Sequence, residues 1–125
     1  MIMTKQKILI VEDEAIIAVD LKLKLELGGY EVAGIVSSGE AALDHVEKNK
    51  PDLVIMDIIL DGAMNGVEAA AEISKRCPTP ILYLSAHSEK DLLEESQKDT
   101  LYYYLLKPAS REELEQAVKR ILKQE

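Results

Sequence analysis

At 125 residues, 47% of them hydrophobic and 30% charged, the chain has the size of one domain and an ordinary globular composition. A net charge of −8 argues against direct nucleic-acid binding, which depends on Lys and Arg neutralising phosphates. No apolar run approaches the ~20 residues that span a bilayer, and no signal-peptide core opens the chain. Membrane insertion is therefore not expected. The single Cys77 excludes an internal disulfide and fits a cytoplasmic setting.

The elements alternate regularly. KILIV at 7–11 is a short β-branched run, as a strand buried on both faces would be. Residues 15–27 follow as a helix with Ile16, Val19, Leu23 and Leu27 at helical spacing, stopped by Gly28-Gly29. EVAGIV at 31–36 is the second strand. Ser37 with Glu40 has the spacing of a capping box and opens a helix to about residue 48. Residues 52–56 (DLVIM) form the third strand and end at Asp57; a loop with Asp61, Gly62, Asn65 and Gly66 leads to a helix over 67–76. Pro78-Thr79-Pro80 launches the fourth strand, ILYL at 81–84. Ser88 with Asp91 predicts a further capped helix over 89–98. YYYLL at 102–106 is the fifth strand. Ser110 with Glu113 caps a last helix carrying Leu114, Ala117, Val118, Ile121 and Leu122 as one stripe.

Five β-α units with short connections predict a single α/β domain over 1–125, a doubly wound parallel sheet. Ligands of such sheets bind at the carboxyl ends of the strands, where strand order switches. Those ends carry Glu12, Asp13 and Glu14 after strand one, Asp57 after strand three, Ser85 after strand four and Lys107-Pro108 after strand five. In the order 2-1-3-4-5, strands one and three are neighbours and Glu12, Asp13 and Asp57 meet. Carboxylates so crowded repel unless a cation lies among them, and hard oxygen ligands suit Mg²⁺. A lysine and a hydroxyl beside them suit a transferred phosphoryl group, which needs positioning and neutralisation more than acid-base groups.

The ordered set ILIVEDE, LVIMDIIL, ILYLSA and YLLKP resembles the receiver domain of two-component response regulators, over essentially the whole chain. The resemblance implies the flavodoxin-like (βα)5 fold. It implies that Asp57 accepts a phosphoryl group from a sensor histidine kinase or a histidine phosphotransfer protein. Glu12, Asp13, Asp57 and the carbonyl of Ile59 would bind Mg²⁺, or Mn²⁺ in its place. Ser85, Ala86 and Lys107 would contact the phosphoryl group, Tyr104 would be the aromatic switch, and Lys107–Pro108 would be a cis bond. A downstream protein target, and in some members a homodimer, would use the face of the fourth helix, fifth strand and fifth helix.

Three departures stand out. Leu60-Asp61 replaces the family's Met-Pro, the loop from Asp57 to Gly66 is one residue longer at Ala63, and Thr100-Leu101 replaces Gly-Ala. Ile59 and His87 occupy positions that tune the phosphoryl lifetime in receivers. Other functions fit less well. An aspartate-nucleophile phosphatase needs an acid where Ile59 stands, and a flavin carrier needs a neutral phosphate cradle where Glu12-Asp13-Glu14 stands. A receiver serving only as an interaction module would have lost part of the acid–lysine set.

Overall fold

The computed structural model describes residues 5–97 and 102–123. Five parallel strands, β1 (Lys7–Val11), β2 (Glu31–Val36), β3 (Leu53–Asp57), β4 (Ile81–Ser85) and β5 (Tyr103–Leu106), lie in the order β2-β1-β3-β4-β5. The helices are α1 (Ala15–Leu27), α2 (Gly39–Asn49), α3 (Gly66–Arg76), α4 (Lys90–Ser96) and α5 (Arg111–Leu122). The predicted doubly wound sheet and its strand order are thus found. No helix of the described residues is long and apolar enough to cross a membrane.

Strand alternation divides the core into two layers. Ile8, Ile10, Leu53, Ile55, Leu82 and Leu84 face α1 and α5. The residues between them, including Leu9, Val11, Val54, Met56 and Tyr83, face α2, α3 and α4. The α5 stripe packs as expected, with Leu114, Val118 and Ile121 buried.

Helix α1 departs from the expectation. Ile16, Val19, Leu23 and Leu27 are 86, 51, 55 and 67% exposed, and the buried residues are Ala18, Leu21 and Leu25. At about 100° per residue the two sets lie on opposite sides of the helix, so α1 is apolar both toward the sheet and toward solvent. The side bearing Ala18, Leu21 and Leu25 is the one that packs into the core layer under α1 and α5.

The caps also moved. Ser38, not Ser37, caps α2, its hydroxyl accepting from Ala41 N–H at 3.1 Å. Ser88 and Asp91 form no capping box; a 3₁₀ turn at His87–Glu89 precedes α4, and Glu89 Oε1 instead accepts from Ala86 N–H at 3.1 Å. The end of the fourth helix at Lys98, and Thr100-Leu101, lie outside the described residues. Gly29, at φ 94°, makes the turn after α1.

The two sides of α1 should respond differently to truncation. Leu25→Ala should cost about 2–5 kcal/mol through the lost burial and the cavity left behind. Leu23→Ala should stay within about 0.5 kcal/mol. Urea unfolding of both variants checks this, and comparable losses would contradict the assignment of faces.

Candidate functional site

The site forms where β1 and β3 run side by side and their chains continue past the sheet. Glu12 N–H still bonds Val36 O at 2.9 Å, so the β1–β2 ladder extends one residue and holds Glu12 in place. Asp57 is the last residue of β3 and pairs with Leu84 in β4, which puts Ser85 one step beyond it. Lys107 N–H bonds Ser85 O at 2.9 Å, extending the β4–β5 ladder in the same way. Each site residue is thus set by a strand end.

Glu12 and Asp57 are nearly sealed, at 2 and 4% exposure, and Asp13 is half-buried. One carboxylate oxygen from each lies within 4.8 Å of the others. Against these three stands one ammonium. Lys107 Nζ is 2.7 Å from Asp57 Oδ1 and 3.3 Å from Glu12 Oε1. Asp57 Oδ1 also accepts from Ile58 N–H at 2.9 Å. Glu12 Oε2 accepts from Glu14 N–H at 3.1 Å, but buried Oε1 receives no hydrogen bond, Lys107 being close but poorly directed.

The charges shift accordingly. Burial raises the Glu12 carboxyl to about 7, the Asp57 charge adds to this, and Glu14 N–H and Lys107 only partly oppose it. At Lys107 burial pulls downward, but Asp57 and Glu12 outweigh it and leave the ammonium above its ordinary value. An acid resisting ionisation, with an oxygen lacking a donor beside two further carboxylates, has the chemistry of a hard-cation site. Glu12, Asp13 and Asp57 therefore fit Mg²⁺.

The remaining predicted residues lie around this group. Ser85 is fully buried, its hydroxyl donating to Ala86 O at 2.9 Å, while Ala86 N–H is engaged by Glu89. Tyr104 is half-buried, its ring 5.8 Å from that of Tyr102 and 5.8 Å from Lys90 Nζ. Ile59 is half-exposed in the loop after β3, and the Lys107–Pro108 bond is cis. The loop is tied to α2: Ala63 N–H donates to Glu40 Oε2 at 3.2 Å, and Ser38 and Asp61 form a β-bridge.

Two residues have roles that the sequence reading did not show. Gly66, expected only as a loop residue, opens α3 and packs directly on Asp57, where a Cβ would collide with the Asp57 carbonyl oxygen. Its N–H bonds Ile58 O at 2.6 Å. The signal was present, because Asn65 and Glu68 form a reciprocal capping box that starts α3 at Gly66. Glu89 was missed because Ala86, which has no capping side chain, concealed the pairing.

Comparison with known proteins decides the family. The response regulator receiver domain model matches residues 8–119. The chain belongs to the response regulator receiver family. The transcriptional regulatory protein PdtaR of Mycobacterium tuberculosis is 40% identical over 113 residues, 90% of this chain and 55% of PdtaR. The chemotaxis protein CheY of Thermotoga maritima is 33% identical over 119 residues, covering 94% of this chain and 98% of CheY. The receiver domain of a Desulfovibrio desulfuricans modulated diguanylate cyclase superposes with a TM-score of 0.87 at 30% identity, covering 95 and 94% of the two chains. The receiver thus spans little more than half of PdtaR and nearly all of CheY. It is a domain of two-component signalling.

The raised Glu12 carboxyl has a sign that can be tested. The metal-free folded state holds this proton up to about pH 7, whereas the unfolded chain releases it near its ordinary value. Glu12's contribution to stability should therefore decline as pH rises between about 4.5 and 7, by at most about 3 kcal/mol. In chelator-treated protein, Glu12→Gln should remove that part of the decline, and Mg²⁺ should raise Tm more at pH 7.5 than at pH 5.5. A Tm–pH profile unaltered by Glu12→Gln would contradict the shift.

Proposed function

We propose that Asp57 is the phosphoacceptor of this receiver and that its phosphorylation switches a protein-binding face. The observation that carries the reading is the contact of Lys107 Nζ with Asp57 Oδ1 at 2.7 Å beside two further carboxylates. A structural salt bridge needs one acid. A second buried acid, Glu12, and a half-buried third, Asp13, beside it are explained by a bound cation.

The donor is a phosphohistidine on a sensor kinase or phosphotransfer protein. An Asp57 carboxylate oxygen forms the new bond to phosphorus while the histidine N–P bond breaks and its electron pair returns to the imidazole. Mg²⁺, held by Glu12, Asp13, Asp57 and the Ile59 carbonyl, supplies charge neutralisation when bound. Lys107 already points at Asp57 and would keep its ammonium on the anion formed there. Ser85 and Ala86 now spend their donors within the chain, on Ala86 O and on Glu89. A phosphoryl group offers a stronger acceptor to both. Drawing Ser85 toward it would free space for Tyr104 to turn from Tyr102 and Lys90, a population shift that alters the α4–β5–α5 face for a downstream protein.

The outward apolar side of α1 is read as the seat of the donor. It reaches the site at Ile16, which lines a cavity of about 270 Å³ together with Lys107 and Pro108. A protein delivering a phosphoryl group to Asp57 must rest on neighbouring surface, and this one is apolar and open.

Incubation with acetyl phosphate and Mg²⁺ should add one phosphoryl group by intact mass, absent in Asp57→Asn and in EDTA. Failure of the wild-type protein to gain mass would leave an interaction module instead. Leu23→Asp should slow transfer from a phosphohistidine protein at least about tenfold while leaving acetyl phosphate uptake unchanged. Equal slowing of both reactions, or of neither, would remove α1 from the donor surface.

A further inference from the structure

The Lys107 ammonium is carried by a very short segment. Between the end of β5 and Ser110, whose hydroxyl caps α5 by accepting from Glu113 N–H at 3.1 Å, lie only Lys107, Pro108 and Ala109. The strand side of this segment is fixed by Lys107 N–H to Ser85 O. Pro108 has no N–H to give, and Ala109 is buried. The Ala109 carbonyl then needs a donor. Lys24 of α1 supplies it, from 85 positions away in the chain, with Nζ 2.9 Å from Ala109 O. The same ammonium is 2.7 Å from Asp20 Oδ2, one turn earlier in α1. Among the described residues no other element donates a hydrogen bond to Pro108 or Ala109.

We propose that Lys24 is a positioning residue, holding the Ala109 carbonyl so that the loop presents Lys107 to Asp57. The role rests on the reading of Asp57 as acceptor; the geometric claim about Lys107 does not. An ammonium on a carbonyl is a charge-assisted bond and stronger than a neutral one. The Asp20 pair alone would be an ordinary surface i,i+4 contact of little consequence. What distinguishes Lys24 is that its bond crosses from α1 to the segment bearing the site lysine. Without it the segment is tied only at its two ends, and Lys107 loses the fixed approach that brings it to both Asp57 and Glu12. Just beyond the segment, Arg111 Nη2 of α5 reaches Leu27 O of α1 at 3.5 Å, a second contact between the two.

Lys24→Met keeps the aliphatic length and removes the donor, whereas Lys24→Arg keeps a donor. The first readout requires no phosphoryl chemistry: labelling of each lysine by an amine-reactive reagent in the folded, chelator-treated protein, quantified by mass spectrometry. Lys107 should label at least about threefold faster in Lys24→Met and at the wild-type rate in Lys24→Arg. The exposed Lys48 and Lys75 should not change. Asp20→Asn should label like wild type, because the carbonyl bond remains. The second readout is the rate of phosphorylation by acetyl phosphate at saturating Mg²⁺. It should fall about tenfold in Lys24→Met and recover in Lys24→Arg.

Unchanged Lys107 labelling in Lys24→Met would overturn the proposal. So would Lys24→Arg behaving like Lys24→Met, or Asp20→Asn reproducing it, since packing or the ion pair would then be responsible. A wild-type protein that takes no phosphoryl group would sink the acceptor reading and leave the labelling comparison to decide Lys24's geometry.

Discussion

Three carboxylates gather at the carboxyl edge of this sheet with one ammonium, held by two of them, and the local features around them follow from that imbalance. Glu12 resists ionisation because burial and Asp57 both oppose its charge. Lys107 stays charged despite burial because two acids hold it. Breaking such a contact from one side is expensive, since it leaves a buried charge uncompensated. Keeping it complete is not obviously favourable either, because one acid oxygen still lacks a donor. A cluster of this kind is poised: a cation or an anion arriving at it finds groups already desolvated and in place, at a standing cost to the unliganded fold.

Much of this was legible because a parallel α/β fold converts chain order into spatial order. Once five short apolar runs are recognised, the residues after each are forced to one edge of the sheet. Glu12, Asp13, Asp57 and Lys107 then meet whatever the details of the helices. Side-chain identity did the remainder, because few roles suit acids at two adjacent strand ends and a lysine at a third. Pattern thus gave the parallel sheet and the residues at its edge, and the strand order that joins Glu12, Asp13 and Asp57 came with the receiver resemblance.

What was not legible shares a cause. In α1, apolar residues occupy both sides, so periodicity finds two candidate faces and the choice falls to packing against the sheet, which buries Ala18, Leu21 and Leu25. At α2, two adjacent serines offered caps one residue apart, and the backbone settled on Ser38. Near α4, Ser88 and Asp91 had the right spacing, but Glu89 reaches back to Ala86 first. These are choices between alternatives of similar local energy, and tertiary contacts settle them. The Lys24 bond to Ala109 is the extreme case, because no local pattern joins positions 85 apart.

The two sides of α1 give that helix a place in the molecule that neither side gives alone. Its inner face is locked into the layer shared with α5, its Lys24 bonds the carbonyl of Ala109, and Arg111 of α5 reaches back to the carbonyl of Leu27. Its outer face is apolar and open from the site edge at Ile16 to Leu27. A protein seated on the outer face would therefore rest on a helix bonded to the segment that carries Lys107. Small displacements in packed interiors are transmitted more readily than absorbed. The position of the lysine would then be set jointly by the strand end that carries it and by whatever is seated on α1, so recognition and the electrostatics of Asp57 need not be separate properties of this fold.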